Sequence, residues 1–326
     1  MTRPNKKNSS EKNSNEKAAR KTGKRMEPGK WSTVVVREAV SIARKIGADA
    51  ILVYMDSTRD IAPFQKIESE TKLILLSKRK ECEEKASTLP LHVVLIPDVQ
   101  LTRTGYLKIG FLAAMSKGLL KKGDVIVCVG GVPEQGYMDT IMLIEVNLES
   151  ELFGAGLMLS FPTSIKPEVF ETLLGIVLEL AYEGREGKPV GSIFVLGDHE
   201  NVLSLSRQLV FNPFQGHPEE KLNINEPEVK ESLKEFSAID GAFVIRDDGV
   251  VLAAGRYLNV SYHGEALPQG LGTRHSAAAA ITQATESVAL SISESTGRVT
   301  LFRGGKIMTV IEKASPFTAS PPSTEP

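Results

Sequence analysis

The chain has 326 residues, 41% of them hydrophobic and 24% charged, which is enough for two ordinary domains, each able to bury a core. A formal net charge of −1 gives no electrostatic case for nucleic acid or an anionic membrane as partner, and no run of 18 apolar residues suggests a membrane span. Two cysteines, Cys82 and Cys128, are too few for a disulfide framework and lack metal-ligand spacing, so a reducing, cytoplasmic setting is expected.

Residues 1–30 carry ten basic and three acidic side chains and almost nothing to bury, which predicts a disordered basic tail. From Trp31 the texture changes. Val35, Ala39, Val40, Ala43 and Ile46 recur at helical spacing, and Gly47 is placed to end that helix. Ala50 to Tyr54, Lys72 to Leu76 and Val93 to Ile96 read as buried strands, with a polar-faced helix over Lys78 to Ser87. A helix around Tyr106 to Leu120 leads to strands at Val125 to Val129 and Thr140 to Val146, either side of a loop at Gly130 to Gly136. Alternating helices and short apolar strands predict an open, largely parallel α/β sheet over 31–148.

Residues 149–166, with Gly154, Gly156 and Pro162, read as a linker, and a second domain is expected over 167–312. It opens with a helix from Pro167 through Leu180 and a strand at Ser192 to Leu196. A helix is expected over Val202 to Val210, a long Pro-broken loop over Asn212 to Glu228, and a helix from Val229 to Phe236. Strands follow at Phe243 to Ile245 and Val250 to Ala254, joined by a turn at Asp247-Asp248-Gly249. An Ala-rich helix runs from Ala277 towards Val288, then strands at Val288 to Ile292 and Val299 to Phe302. Successive hairpins flanked by helices suggest a mixed sheet between helices. Residues 313–326, rich in Ser, Pro and Thr, read as a disordered tail.

Three polar signatures sit at the ends of these elements: Asp240-Gly241-Ala242, then Gly270-Leu271-Gly272-Thr273-Arg274-His275-Ser276, then Ser293-Glu294-Ser295-Thr296-Gly297. A glycine loop running into a helix leaves backbone N–H groups aimed outward under the positive end of the helix dipole, a place for phosphate. Arg274 adds a planar donor fork, and Thr273, His275 and Ser276 add shorter polar groups. Asp240 is suited to a divalent cation, while small Gly241 and Ala242 allow a nucleotide close to the backbone. There is no GxxxxGK[S/T], Gly270-Leu271-Gly272 lacks the third glycine of a dinucleotide-binding turn, and no His pair has metal-ligand spacing.

In this order and spacing the three signatures resemble those of the diadenylate cyclases, which condense two ATP into cyclic di-AMP and two pyrophosphate. Their pattern is Asp-Gly-Ala, Gly-Thr-Arg-His-Arg and Ser-Glu-Glu. The stretch Glu179 to Asp198 looks like the approach to that catalytic domain. Ser276 stands where many members have a second Arg, and Ser295 where some have a second Glu. The resemblance implies ATP as substrate, Mn²⁺ or Mg²⁺ as cofactor, and Asp240, Arg274 and His275 as catalytic residues. It further implies nucleotide contacts from Gly241, Ala242, Leu258, Gly272, Thr273, Arg274, His275, Ser276, Ser293 and Glu294, with Leu258 against adenine. Asp240 is the expected metal ligand, with Glu294 as a second acid beside it. A symmetric product made from two ATP implies self-association through two face-to-face catalytic domains. The alternatives are an ATP or cyclic di-AMP binding regulator with little turnover, which Ser276 and Ser295 favour, and a nucleotidyltransferase that uses another acceptor.

Two N-terminal stretches, Ala39 to Tyr54 and Gly118 to Val146, resemble the C-terminal domain of pyruvate kinase. That domain can bind a phosphorylated effector through a hydroxyl-rich loop after a strand. The matching loop here is Met55-Asp56-Ser57-Thr58-Arg59-Asp60, whose two Asp residues weigh against an anion. The other reading is a structural or assembly domain.

Overall fold

A computed structural model describes residues 30–57, 71–79, 92–131, 136–146, 161–264, 267–268 and 271–314. Most of the expected tails and of the linker, Cys82, Gly270, most of the Lys78 to Ser87 helix and the second half of the Met55 to Asp60 loop lie outside these residues; Lys313, expected in the C-terminal tail, is held by the Tyr182 carbonyl.

The N-terminal half begins with helix α1 (Trp31–Ile46), whose buried Ser32, Val36, Ala39 and Ala43 repeat every three or four residues and so form one stripe. Gly47 ends it in the left-handed region at φ +65°, where its N–H reaches back to the carbonyls of Ala43 and Arg44. Strands β1 (Ala50–Tyr54), β2 (Lys72–Ser77), β3 (His92–Leu95), β4 (Val125–Gly130) and β5 (Thr140–Glu145) form a sheet in the order β3-β2-β1-β4-β5. Every neighbouring pair is parallel except β4 and β5. The expected open, largely parallel sheet is therefore present. Val53, Leu75 and Val127 meet α1 on one face; Leu52, Ile74 and Cys128 face the other way, towards helix α2 (Arg103–Ser116). That double burial explains why these strands are almost wholly apolar. It also pushes the Cys128 thiol up to about 12, so this cysteine packs as an inert apolar group. Helix α2 starts three residues before the expected Tyr106, because Thr102 Oγ1 accepts the Gly105 N–H at 3.0 Å and caps it.

The second half is a seven-stranded sheet in the order β12-β11-β10-β6-β8-β9-β7. Its strands are β6 (Ile193–Leu196), β7 (Ser206–Gln208), β8 (Ala242–Ile245), β9 (Val251–Leu258), β10 (Val288–Ile292), β11 (Val299–Arg303) and β12 (Lys306–Ile311). Only β6 and β8 are parallel, so the sheet is mixed, as expected. Helices α3 (Pro167–Glu183) and α5 (Pro227–Glu235) cover the face that carries Phe194, Phe243 and Leu290. The other face carries Ile193, Val195, Ala242 and Phe302 and lies under α6 (Thr273–Ala284). The β8–β9 hairpin turns where expected, with Gly249 at φ +96° and the Arg246 guanidinium held by Asp248 and Glu219.

Three expectations need correction. The helix expected over Val202 to Val210 is a short α4 (His199–Ser204) followed by edge strand β7. Ser206 Oγ donates to the Val202 carbonyl at 2.7 Å, and Arg256 of β9 donates to the Leu203 and Ser206 carbonyls, so groups that would continue the helix are taken. The Ala-rich helix stops at Ala284, because Thr285 is extended (φ −138°). Finally, strand β12 was not foreseen; its alternation is weak, but it completes the sheet edge beside β11.

The two halves also share apolar core. One cluster runs from Leu52, Tyr106 and Phe111 through Phe170, Leu173 and Val177 of α3 to Phe194 and Leu290. Polar ties accompany it: Lys108 Nζ donates to the Val310 carbonyl at 2.7 Å, and Lys117 pairs with Glu171 at 3.2 Å. Among the described residues no helix is long and apolar enough to cross a membrane.

Candidate active site

Strands β6 and β8 begin, and β9 and β10 end, at the same edge of the seven-stranded sheet. There the N-terminus of α6 overhangs a cleft of about 780 Å³, a size suited to a nucleotide. Asp240, Gly241, Ala242, Leu258, Gly272, Thr273, Arg274 and Ser276 all line it. Residues 34 apart in sequence thus meet in one cavity, because the β8–β9 hairpin and α6 return to the edge where β8 starts.

Asp240 is exposed where the short turn Phe236–Ala238 delivers the chain to β8, and its Oδ1 accepts the Gly241 N–H at 3.1 Å. Gly241 sits at φ +103°, where a Cβ would stand 2.8 Å from the Arg256 backbone nitrogen. The demand for glycine comes from this approach of β8 to β9, before any ligand is considered. At the other wall, Gly272 precedes α6 with no side-chain cap. The N–H groups of His275 and Ser276 bond back to the Gly272 carbonyl at 3.1 and 3.3 Å, and the positive end of the helix dipole lies at the cleft. Thr273 and Ser276 are exposed there.

Arg274 Nη1 lies 3.1 Å from Glu294 Oε2. Gly191, just before β6, makes room for this pair, since a Cβ there would stand 2.5 Å from Nη1. Glu294 and Ser293 do not line the cleft. Ser293 sits in the turn between β10 and β11, its N–H on the Arg298 carbonyl at 2.9 Å and its hydroxyl 3.3 Å from that of Ser295. His275 does not line the cleft either. It is buried under α6, its ring 6.0 Å from that of Phe302 and edge-on to it. Burial, and secondarily the neighbouring Arg274 charge, pull its pKa below the usual histidine value, which favours neutral imidazole.

Sequence reasoning passed over Arg256, Tyr257 and Tyr262, which also line the cleft. Strand periodicity could have found Arg256, since it stands two positions before Leu258 and so shares its face.

Residues 179–307 match the family described as DisA bacterial checkpoint controller nucleotide-binding, and residues 32–153 match the probable sensor domain DacZ_P. A diadenylate cyclase from Methanocaldococcus jannaschii is 31% identical over 296 residues, covering 84% of this chain and 94% of that one. The chain belongs to the diadenylate cyclase family. A second relative, the diadenylate cyclase of Haloferax volcanii, is 32% identical over 268 residues and covers 81% of this chain and 93% of its own. Among solved structures, DacA from Staphylococcus aureus is similar over 44% of this chain and 85% of that one, at 20% identity and a TM-score of 0.33.

For this diadenylate cyclase the cleft lies wholly within the nucleotide-binding match, between Ile193 and Ala277. The N-terminal half of the cyclase matches a probable sensor domain. No group of three or more His, Cys, Asp or Glu side chains that could hold a metal ion gathers among the described residues.

Proposed function

We propose that the cleft holds one ATP, with its phosphates against the α6 N-terminus and its adenine on Leu258, and that two such clefts face each other across a dimer. The observation that carries this reading is the convergence of Asp240-Gly241-Ala242 and Gly272 to Ser276 on one cavity. Each ribose 3′ hydroxyl attacks the α-phosphorus of the other ATP in line; two P–O bonds form, two pyrophosphates leave, and the two hydroxyl protons pass to solvent. Arg274 and the N-terminus of α6 orient the phosphates and offset the charge that builds on their oxygens. His275, buried, packs the first turn of α6 against Phe302.

A divalent Mg²⁺ or Mn²⁺ ion fits the donor set. Asp240 offers an exposed carboxylate whose one hydrogen bond among the described residues is from its own neighbour's N–H, and such ions are commonly held by one or two carboxylates plus substrate phosphates and water. When bound, the ion would neutralise phosphate charge and favour ionisation of the 3′ hydroxyl. Glu294 is engaged with Arg274, so Asp240 is the better placed of the two acids.

For the N-terminal half we propose an assembly or sensing role. Its likeness to the pyruvate kinase C-terminal domain stands as a proposal resting on Ala39 to Tyr54 and Gly118 to Val146. Asp56, expected to repel an anion, is already occupied by Ser77, Lys78 and Arg79.

The test is incubation with ATP and Mn²⁺ or Mg²⁺, product identification by mass, and repetition over a thousandfold dilution. Cyclic di-AMP with specific activity that falls on dilution is expected. Constant specific activity from a protein shown to be monomeric throughout would refute the facing clefts. An adenylylated second acceptor, or binding without product, would replace the cyclase chemistry.

A further inference from the structure

Arg256 lies opposite Ala242 where β9 passes the start of β8, and it lines the cleft with Asp240 and Leu258. Its guanidinium is anchored on one side. Nε donates to Ser206 Oγ at 3.0 Å, and Nη2 donates to the carbonyls of Leu203 at 2.7 Å and Ser206 at 2.8 Å. Those bonds use three of the five N–H groups that an arginine carries. The two on Nη1 have no acceptor among the described residues. All three anchors are neutral, so they fix the side chain without cancelling its charge, and no carboxylate among the described residues pairs with it. Arg274, by contrast, is offset by Glu294. Among the residues that line the cleft, Arg256 is therefore a cation held in place without a paired carboxylate, while Ser276 carries no charge. Partial burial raises the cost of leaving that charge unanswered.

We propose that Arg256 is a nucleotide-binding residue of this cyclase, its free Nη1 edge taking anionic oxygens of the bound polyphosphate and supplying positive charge that Ser276 does not. A tie between β9 and β7 would explain the anchored edge alone; it would not explain why a residue that lines the cleft keeps two N–H groups with neither acceptor nor paired carboxylate among the described residues. The proposal rests on the reading of the cleft as the ATP site.

The experiment compares ATP and adenosine binding to the full chain by calorimetry, for the wild type, Arg256→Gln and Arg274→Ala. Arg256→Gln is expected to weaken ATP about tenfold or more while leaving adenosine within about twofold, the loss of one charge-assisted contact. Equal loss for both ligands, or no loss for ATP, overturns the proposal, the first outcome marking Arg256 as a purely structural tie. Arg274→Ala separates the two levels: if it too leaves ATP binding intact, the reading of the cleft fails, whereas if it weakens ATP and Arg256→Gln does not, only the role of Arg256 fails. Should Arg256→Gln not fold, Arg256→Lys serves the same comparison. Its ammonium cannot keep the three anchors and reach the cleft, so the preference for ATP over adenosine should fall at least about threefold; an unchanged preference overturns the proposal.

Discussion

Arg274 and Glu294 form an ion pair at 3.1 Å that joins the first turn of α6 to the turn after β10. Two residues expected to act separately, one on phosphate and one on metal, are thus partners. ATP phosphates that take Arg274 must compete with Glu294 or bind a second edge of the same guanidinium. Glu294→Gln should then tighten ATP binding about two- to fivefold, with an unchanged metal requirement for turnover. A higher metal requirement in a titration of activity would restore Glu294 as a ligand. Both side chains of the pair are well exposed, so its contribution to stability should stay within about 1 kcal/mol.

Arg274→Ala should weaken ATP by about 1.5–3 kcal/mol, the scale of a hydrogen bond to a charged group. Calorimetry with ATP reads this directly, and unchanged affinity would remove Arg274 from the site.

Asp240→Asn keeps the shape of an exposed side chain whose one hydrogen bond among the described residues is from its neighbour's N–H, so the melting temperature should not move. Product formation should fall to near background. Ordinary activity at modest Mn²⁺ or Mg²⁺ would show that the carboxylate is not needed.

His275 carries a pH signature. Its folded pKa lies below the ordinary 6.5 through burial and then the Arg274 charge, so the folded state resists protonation more than the unfolded chain does. Its contribution is intact above about pH 6.5 and is lost progressively as pH falls through that value towards the folded pKa. Denaturant melts of wild type and His275→Gln from pH 8 to 5 should show a steeper acid loss in the wild type. Parallel curves would mean that His275 is not desolvated in solution.

The shared core bears on whether the halves separate. A fragment beginning at Phe161 retains every residue that lines the cleft. It also strips α2 from the α3 face and from β12, breaking the Lys108–Val310 and Lys117–Glu171 ties. It should bind ATP yet melt well below the full chain, and make cyclic di-AMP only at raised protein concentration. A fragment as stable as the whole would show that the junction contributes little.

What the sequence determined by itself was local. Trp31–Ile46, Ala50–Tyr54 and Val288–Ile292 were legible because their apolar periods are unbroken and Gly47 closes the first of them. The three polar signatures, each commonplace alone, were legible together because their order and spacing matched one family. Tertiary structure decided the rest. Ser206 to Gln208 became a strand because Arg256, 50 residues on, captures the backbone that a helix would use. His275 turned inward because the helix face that it shares with Ala278, Ala279 and Thr282 packs on the sheet. Arg256 entered the cleft by strand register, and Glu294 met Arg274 because β10 ends beside the start of β6, next to Gly191. These are contacts between residues far apart in sequence, set by sheet order and register, and no local window of residues encodes them.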